Sequence, residues 1–456
     1  MENKLSKRLW VNILLFNFIG AVAWNVENMY FNTFLYNSVY QGASAEAMAG
    51  TMAPTTAISR MVALSAVVAV LTTFIMGTLS DKIRKRKIFI SVGYIAWGII
   101  TALFGFISRD TVASVFGLSD SARILTFTVW AVIIMDMVMT FMGSTSNDSV
   151  FNAWVTEVTN TYTRPKVETA FTFISFIAMG VVMGVGTFAQ SGAISYRTFF
   201  IGLGVIVAIC GFIGLFLLQD PQVKNISEEK KTSYWSDLFY GFRPSVIKEN
   251  SRLYLTLVAM GIFGTAFQVF FPYLFVYLQY VVLPNNEGVN YLSAGVIIPA
   301  VISVAVLVVG TVVLLKLANK NKAYAYIPAA ACMAIGLFIL STGTGIVGMI
   351  IGIAPTFIGY IVLSIQLNAS IRDFIPSGKA GLFQGIRMIF YVLIPMVIGP
   401  FVGDIACRNS NVTYINEYSV ETIVPSSSMF LYGAIIALLI FIPLVFLIKK
   451  GFKVEE

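Results

Sequence analysis

Residues 77–87 read Gly-Thr-Leu-Ser-Asp-Lys-Ile-Arg-Lys-Arg-Lys, one acid followed by five basic side chains, set between apolar runs at 57–80 and 87–108. Each flanking run is long enough to cross a bilayer, since roughly 20 helical residues span a hydrocarbon core of about 30 Å. A short basic segment between two such runs is a membrane turn held on one side by its charge. The alternation continues along the chain and places spans at 10–36, 57–80, 87–108, 126–150, 167–190, 196–218, 253–281, 292–316, 324–341, 345–370, 380–403 and 427–448. Backbone groups in lipid must be hydrogen-bonded within their own segment, so these runs are helices. The short alternating strands of a membrane barrel are absent. The fold class is all-α and integral to the membrane.

Composition agrees. Of 456 residues 57% are hydrophobic and 11% charged, against about 25% charged in soluble domains. The basic segment 1–8 precedes an apolar stretch too long for a signal-peptide core, so the first span is expected to remain in the mature chain. Three cysteines make no disulfide framework, and no histidine occurs. We find no metal-ligand spacing, nucleophile elbow or cofactor motif, so neither a cofactor nor an enzyme activity is expected.

With the N-terminus inside, inner segments hold 24 of the 30 Lys and Arg residues. The net charge of +8 is then a topology signal, with both termini cytoplasmic, and not a nucleic-acid footprint. The one long polar stretch divides the chain into a six-helix bundle at 1–218, a linker at 219–252 with a short amphipathic helix near Tyr234–Phe239, and a second bundle at 253–456. Short echoes support the repeat. Met76-Gly-Thr-Leu79 matches Val309-Gly-Thr-Val312, and Phe151-Asn-Ala-Trp-Val-Thr-Glu157 matches Leu367-Asn-Ala-Ser-Ile-Arg-Asp373, each pairing span n with span n+6.

Charges and amides inside spans are costly and mark functional candidates. Glu27 lies in span one, Asp148 toward the inner end of span four and Arg387 in span eleven; Arg60 and Asp136, near the outer surface, can snorkel. At 100° per residue, Asn17, Asn25, Asn28 and Asn32 share an arc of about 80° bordered by Trp24. Such a stripe lines a cavity or glues helices together. Gln384, Arg387 and Tyr391 share a face of span eleven, where the guanidinium could balance Glu27 or Asp148. Tyr273, Tyr277 and Tyr280 follow one another on span seven above Gln268, either as a platform for sugar rings or as packing.

The segment Gly77–Lys87 resembles the signature loop of the major facilitator superfamily, Gly-x-Leu-Ala-Asp-Arg-x-Gly-Arg-Arg, with Arg84 in place of the family's glycine. That resemblance implies twelve spans in two pseudo-symmetric bundles and a gating role for Gly77 and Asp81. Asp148-Ser-Val-Phe-Asn-Ala-Trp-Val-Thr-Glu157, followed by Arg164, also resembles the glycoside–pentoside–hexuronide cation symporters, in which the acid serves the sugar and cation site. Those carriers' paired acids on span two correspond here to Ala69 and Thr73, which departs from a sodium site of that kind.

The expectation is a secondary active transporter of the plasma membrane, monomeric, taking a small-molecule sugar or glycoside with a coupling proton or sodium ion. Trp24, Asn25, Asn28, Asn32, Asn152, Gln268, Tyr273, Gln384 and Tyr391 would bind substrate, and Glu27, Asp148 and Arg387 would serve the cation. The rival readings are a proton-coupled exporter of amphipathic compounds and a non-transporting membrane sensor.

Overall fold

The computed structural model describes residues 5–83, 85–159, 163–220, 242–343, 345–375, 383, 386–415 and 420–451. Among these residues, twelve helices are long and apolar enough to cross a membrane: Lys7–Tyr40, Pro54–Gly77, Arg86–Phe104, Ser121–Val158, Phe173–Gln190, Tyr196–Leu217, Ser251–Asn285, Ala294–Ala318, Ala323–Ser341, Ile346–Phe374, Ile386–Ser410 and Ser428–Lys450. We number them as spans one to twelve. The amphipathic helix expected near 234–239 lies outside the described residues. A six-residue helix, Pro244–Glu249, precedes span seven. Between spans eleven and twelve, strands β1 (Thr413–Ile415) and β2 (Glu421–Ile423) pair antiparallel as a small hairpin.

The helices group into two compact units. The first comprises Met1–Ala53, Val67–Lys231 and Asn416–Val420, and the second Pro54–Ala66, Thr232–Ile415 and Glu421–Glu456. Span two therefore begins in the second unit and ends in the first.

Spans one, four and seven are the longest, at 34, 38 and 35 residues. At 1.5 Å per residue each exceeds roughly 50 Å, well beyond a core of about 30 Å. These three spans, together with span eleven, contain π-helical turns: Glu27–Phe31 and Leu35–Tyr40 in span one, Ser144–Phe151 in span four, Leu278–Val282 in span seven and Ile389–Leu393 in span eleven. A π-turn inserts a residue into the α-helical register and swings the following side chains round the axis. It turns polar residues onto a face that a regular helix would not give them. Span seven is also broken by a 3₁₀ turn at Phe271–Tyr273, where Pro272 removes a backbone donor.

With no hydrophobic drive between helices inside lipid, association depends on close packing of small residues. A Cβ added at Gly98 of span three would meet the Gly204 carbonyl of span six at 2.4 Å, and one at Gly204 would meet the Gly98 carbonyl at 2.4 Å. The second unit uses the same device: a Cβ at Gly336 of span nine would reach the Thr356 nitrogen of span ten at 2.4 Å. Bare backbone at these crossings leaves nothing that can yield to a side chain. By contrast, a Cβ at Gly180 of span five meets nothing within 4 Å. We expect Gly98→Val to lower stability by about 2 kcal/mol or more, while Gly180→Val leaves it unchanged. Thermal unfolding of the purified variants in detergent checks both.

Candidate functional site

In the first unit, spans one, three and four bring polar and aromatic side chains together. The Thr140 hydroxyl donates to Glu27 Oε1 at 3.0 Å. Glu27 is nine-tenths buried, its Oε2 has no hydrogen-bond partner, and its charged neighbours are Asp136 and Asp148. Three residues earlier on span one, the Trp24 indole N–H donates to Asn147 Oδ1 at 3.2 Å and also acts on Asp148. Asn147 Nδ2 donates to the Tyr94 hydroxyl at 2.6 Å, which donates to the Phe16 carbonyl at 2.8 Å. Ser144 donates to Asp148 Oδ2 at 3.0 Å. The Trp24 and Trp97 rings lie 5.1 Å apart. Room for them comes from Gly143, where a Cβ would lie 2.9 Å from both indoles, while Gly20 makes room for Asn147 and the Tyr94 hydroxyl, with which a Cβ there would collide.

The polar residues of span four stand at 136, 140, 144 and 148, one every four residues. In a regular α-helix such a series drifts about 40° per step. The wider π-turn at Ser144–Phe151 reduces that drift at its inner end. This places an acid, two hydroxyls and a second acid along one side of the helix.

The amides of span one are less free than the helical wheel implies. Asn25 donates to the Ala21 carbonyl at 2.8 Å, Asn28 to Trp24 at 2.8 Å and Asn32 to Asn28 at 3.0 Å, each back along its own helix. Their nitrogens are satisfied locally, so any further hydrogen bond these amides make must be accepted by their oxygens. Asn25 and Asn28 are half-buried, whereas Asn32 is buried with its Oδ1 unpartnered. Asn152 is exposed and donates to the Asp148 carbonyl at 2.9 Å, so it braces the π-turn. Asp136 does not snorkel: it is 2% exposed. Its expected outer position gave no sign of this, because hydropathy fixes depth and not facing.

In the second unit, Arg387 donates to Asn368 Oδ1 at 2.8 Å, and its guanidinium lies 4.8 Å from the centre of the half-exposed Tyr391 ring. Asn368 is the residue that the internal repeat pairs with Asn152. Gln384 lies outside the described residues. Gln268 is half-buried and packs against Gly399. Tyr273 is completely buried, and its hydroxyl donates to the Pro400 carbonyl at 2.6 Å and faces the Thr55 carbonyl at 3.3 Å. Tyr277 and Tyr280 are buried against Phe430 and Tyr414. The span-seven tyrosines therefore pack against neighbouring rings and backbone carbonyls. An apolar cleft lined by residues such as Gly261, Phe390, Ile394 and Ile436 offers no anchor for a polar solute. Among the described residues no cluster of His, Cys, Asp and Glu is arranged to hold a metal.

Of the two gating residues, Gly77 abuts Ser149 of span four, and the Asp81 side chain lies outside the described residues. Beside them is an ion pair that the sequence reading missed. Arg86, nearly buried, donates from Nη2 to Glu157 Oε1 at 2.6 Å, from Nε to Oε2 at 3.3 Å and from Nη1 to Ser80 at 2.5 Å, tying together the ends of spans two, three and four. In the second unit Lys322 pairs with Asp373 at 2.5 Å and with Ser370 at 3.0 Å. Glu157 and Asp373 occupy equivalent places in the repeat noted above, so the echo carried a structural pair that was legible had its partners been sought. The Arg86 side chain is 6% exposed and that of Lys322 22%. Losing the acid strands a desolvated guanidinium in the first case and a partly hydrated ammonium in the second. We expect Glu157→Gln to destabilise by about 1–3 kcal/mol, given that the acid itself is partly hydrated, and Asp373→Asn by less than about 1 kcal/mol; chemical or thermal unfolding of the two variants side by side checks the order.

The geometry agrees with comparison to known proteins. The solved structure of the nucleoside transporter NupG (D323A mutant) aligns with TM-score 0.61 at 13% identity, covering 96% of this chain and 99% of that one. A D-xylose–proton symporter aligns with TM-score 0.59 at 13% identity, covering 96% of each chain. A bacterial homologue of the human lysosomal transporter Spinster aligns with TM-score 0.57 at 14% identity, covering 98% of this chain and 96% of that one. At these identities the likeness establishes the fold alone. No curated protein matches the sequence. The family model described as Major Facilitator Superfamily matches residues 13–400, most of the chain, and the protein is a member of that superfamily of membrane transporters.

Proposed function

We propose that this transporter works by alternating access and couples a cation to the movement of a sugar or glycoside. The observation that carries the reading is Glu27. A carboxylate nine-tenths buried, with one hydroxyl donor, an unpartnered oxygen and two further acids as its charged neighbours, is costly to hold ionised without a counter-charge. A proton or a metal cation that arrives and leaves supplies it. Asp148, half-buried and held by Ser144, is the second acid of the site.

The substrate class rests on Trp24 and its surroundings. An indole face packs on the apolar side of a sugar ring, and amide oxygens such as those of Asn25 and Asn28 accept from its hydroxyls. Asn147 fixes the indole from its edge. Two of the similar structures are named for a pentose and for nucleosides, and both kinds of solute carry a five-carbon sugar. The basic-residue distribution supports a cytoplasmic location for both termini, and the plasma membrane is the expected site.

The test uses proteoliposomes and a panel of labelled D-xylose, aryl glucosides and uridine, with imposed proton or sodium gradients. The wild-type chain should accumulate at least one of these against its gradient. Glu27→Gln should abolish accumulation yet retain counterflow exchange, because the variant mimics the cation-loaded, neutral site. Unchanged uphill uptake in Glu27→Gln removes this residue from coupling.

A further inference from the structure

The second unit contains a polar cluster that the substrate reading does not use. Asp404 of span eleven is 2% exposed. Its Oδ1 accepts from the Thr55 hydroxyl at 2.6 Å, and the Thr56 hydroxyl lies 3.2 Å from Oδ1 and 3.0 Å from Oδ2. Thr55 and Thr56 begin span two directly after Pro54. Span seven joins the same cluster: the Tyr273 hydroxyl lies between the carbonyls of Pro400 and Thr55. One turn further along span eleven, Arg408 Nη2 pairs with Asp404 Oδ2 at 3.2 Å, with its side chain about half exposed. Span eleven runs on to Ser410, so Asp404 sits inside the helix and not just beyond it, as the hydropathy boundary at 403 has it.

Two features separate this cluster from an ordinary packing contact. The first is what holds what. Pro54–Ala66 groups with the second unit, while the rest of span two groups with the first, and the threonine hydroxyls hold the first turn of that segment. The second is what remains when it lets go. Arg408 is on the same helix as Asp404, four residues on, and reaches water, so the carboxylate keeps its cation whether or not span two is docked. Release exchanges hydroxyl donors for water at an acid already neutralised, which is far cheaper than stranding an unpaired buried charge. Because charge-assisted hydrogen bonds are short and directional, the contact still registers the docked position sharply.

We propose that Thr55, Thr56 and Asp404 form a releasable latch at the end of the molecule that the basic-residue distribution places outside, holding the start of span two against spans seven and eleven and letting go once in each transport cycle. The inference rests on the alternating-access reading. Its test is independent of substrate.

Ser59 reports on the latch. It is fully buried one turn beyond the threonines, with its hydroxyl on the Thr56 carbonyl. In a chain with Cys210, Cys332 and Cys407 replaced by Ala, Ser59→Cys becomes the sole thiol, and a membrane-impermeant maleimide is added outside right-side-out vesicles. Labelling should be slow in this parent. It should speed up by roughly tenfold or more when Asp404→Asn or the pair Thr55→Val and Thr56→Val is added, the shift expected from losing a hydrogen bond to a charged group. The valine pair keeps the Asp404–Arg408 pair intact and decides the matter should Asp404→Asn fold poorly. Cys210, buried in the first unit, serves as sole thiol in a parallel set. Parental labelling rates at Ser59→Cys in both variants overturn the latch. So does equal acceleration at Cys210, which would mean general loosening. A chain that unlatches as described but moves no sugar retracts the substrate reading and leaves this one standing.

Discussion

The hydrogen bond from Thr140 to Glu27 joins spans one and four where neither side chain has water to fall back on, and that lack of an alternative governs the rest of the first unit. In water such a contact between a hydroxyl and a carboxylate would compete with solvent and contribute little. Inside a bilayer the competitor is an unsatisfied group, so the helices must meet at this register. Trp24, Asn147 and Tyr94 follow from it. Once span one is fixed against span four, the indole falls beside Asn147, Gly143 supplies the space its ring takes up, and Gly20 supplies the space for Asn147.

The π-turns are the backbone's answer to the same constraint. A strictly α-helical span four would carry Asp148 round the axis away from the side that Asp136 and Thr140 occupy. The inserted residue in Ser144–Phe151 brings it back, and Asn152 donates to the carbonyl of Asp148 from just beyond the insertion. Span one has two such turns and span seven one, with the outer insertion of each starting 27 or 28 residues from the helix start (35 − 7 = 28; 278 − 251 = 27). An insertion at matching places in spans one and seven is the backbone counterpart of the sequence repeat. A helix that is long and locally widened by π-turns is poorly suited to a static pillar and well suited to a wall whose lining changes.

Much of the fold was legible because lipid permits so few solutions. Apolar run length gave the twelve spans, and the Gly77–Lys87 loop gave the family. Glu27 and Asp148 stood out as candidates for a related reason: a charge in hydrocarbon stands out against its neighbours. Facing was not legible. The helical wheel assumes 100° per residue, and the π-turns at Glu27 and Ser144 and the 3₁₀ turn at Tyr273 break that assumption where it mattered. Tyr273, read as a ring platform, is packed with its hydroxyl spent on Pro400, and Asp136, read as an acid near the outer surface, is buried because hydropathy gives depth and not facing. Thr140 went unseen because a lone hydroxyl can bond back along its own helix and leaves no mark in hydropathy, and Asn147 because it lies in a polar stretch where Asp148 drew the reading.

The two units share a scaffold and diverge in what they place upon it. Both cross helices at bare glycine backbone, and both pin the ends of their spans with an ion pair at equivalent positions, Arg86–Glu157 and Lys322–Asp373. The polar residues in mid-span are not duplicated. Glu27, Asp136 and Asp148 have no acidic counterparts at the matching places of the second unit, where Arg387 is held by Asn368 and the buried acid Asp404 already carries its own arginine. Duplication therefore preserved the contacts that any membrane bundle needs and left the costly groups free to specialise. An acid neutralised within its own helix can be docked and undocked without changing its charge, whereas the charged neighbours of Glu27 are acids. The first kind of site suits the latch proposed above, and the second suits the cation of the proposed transport reading.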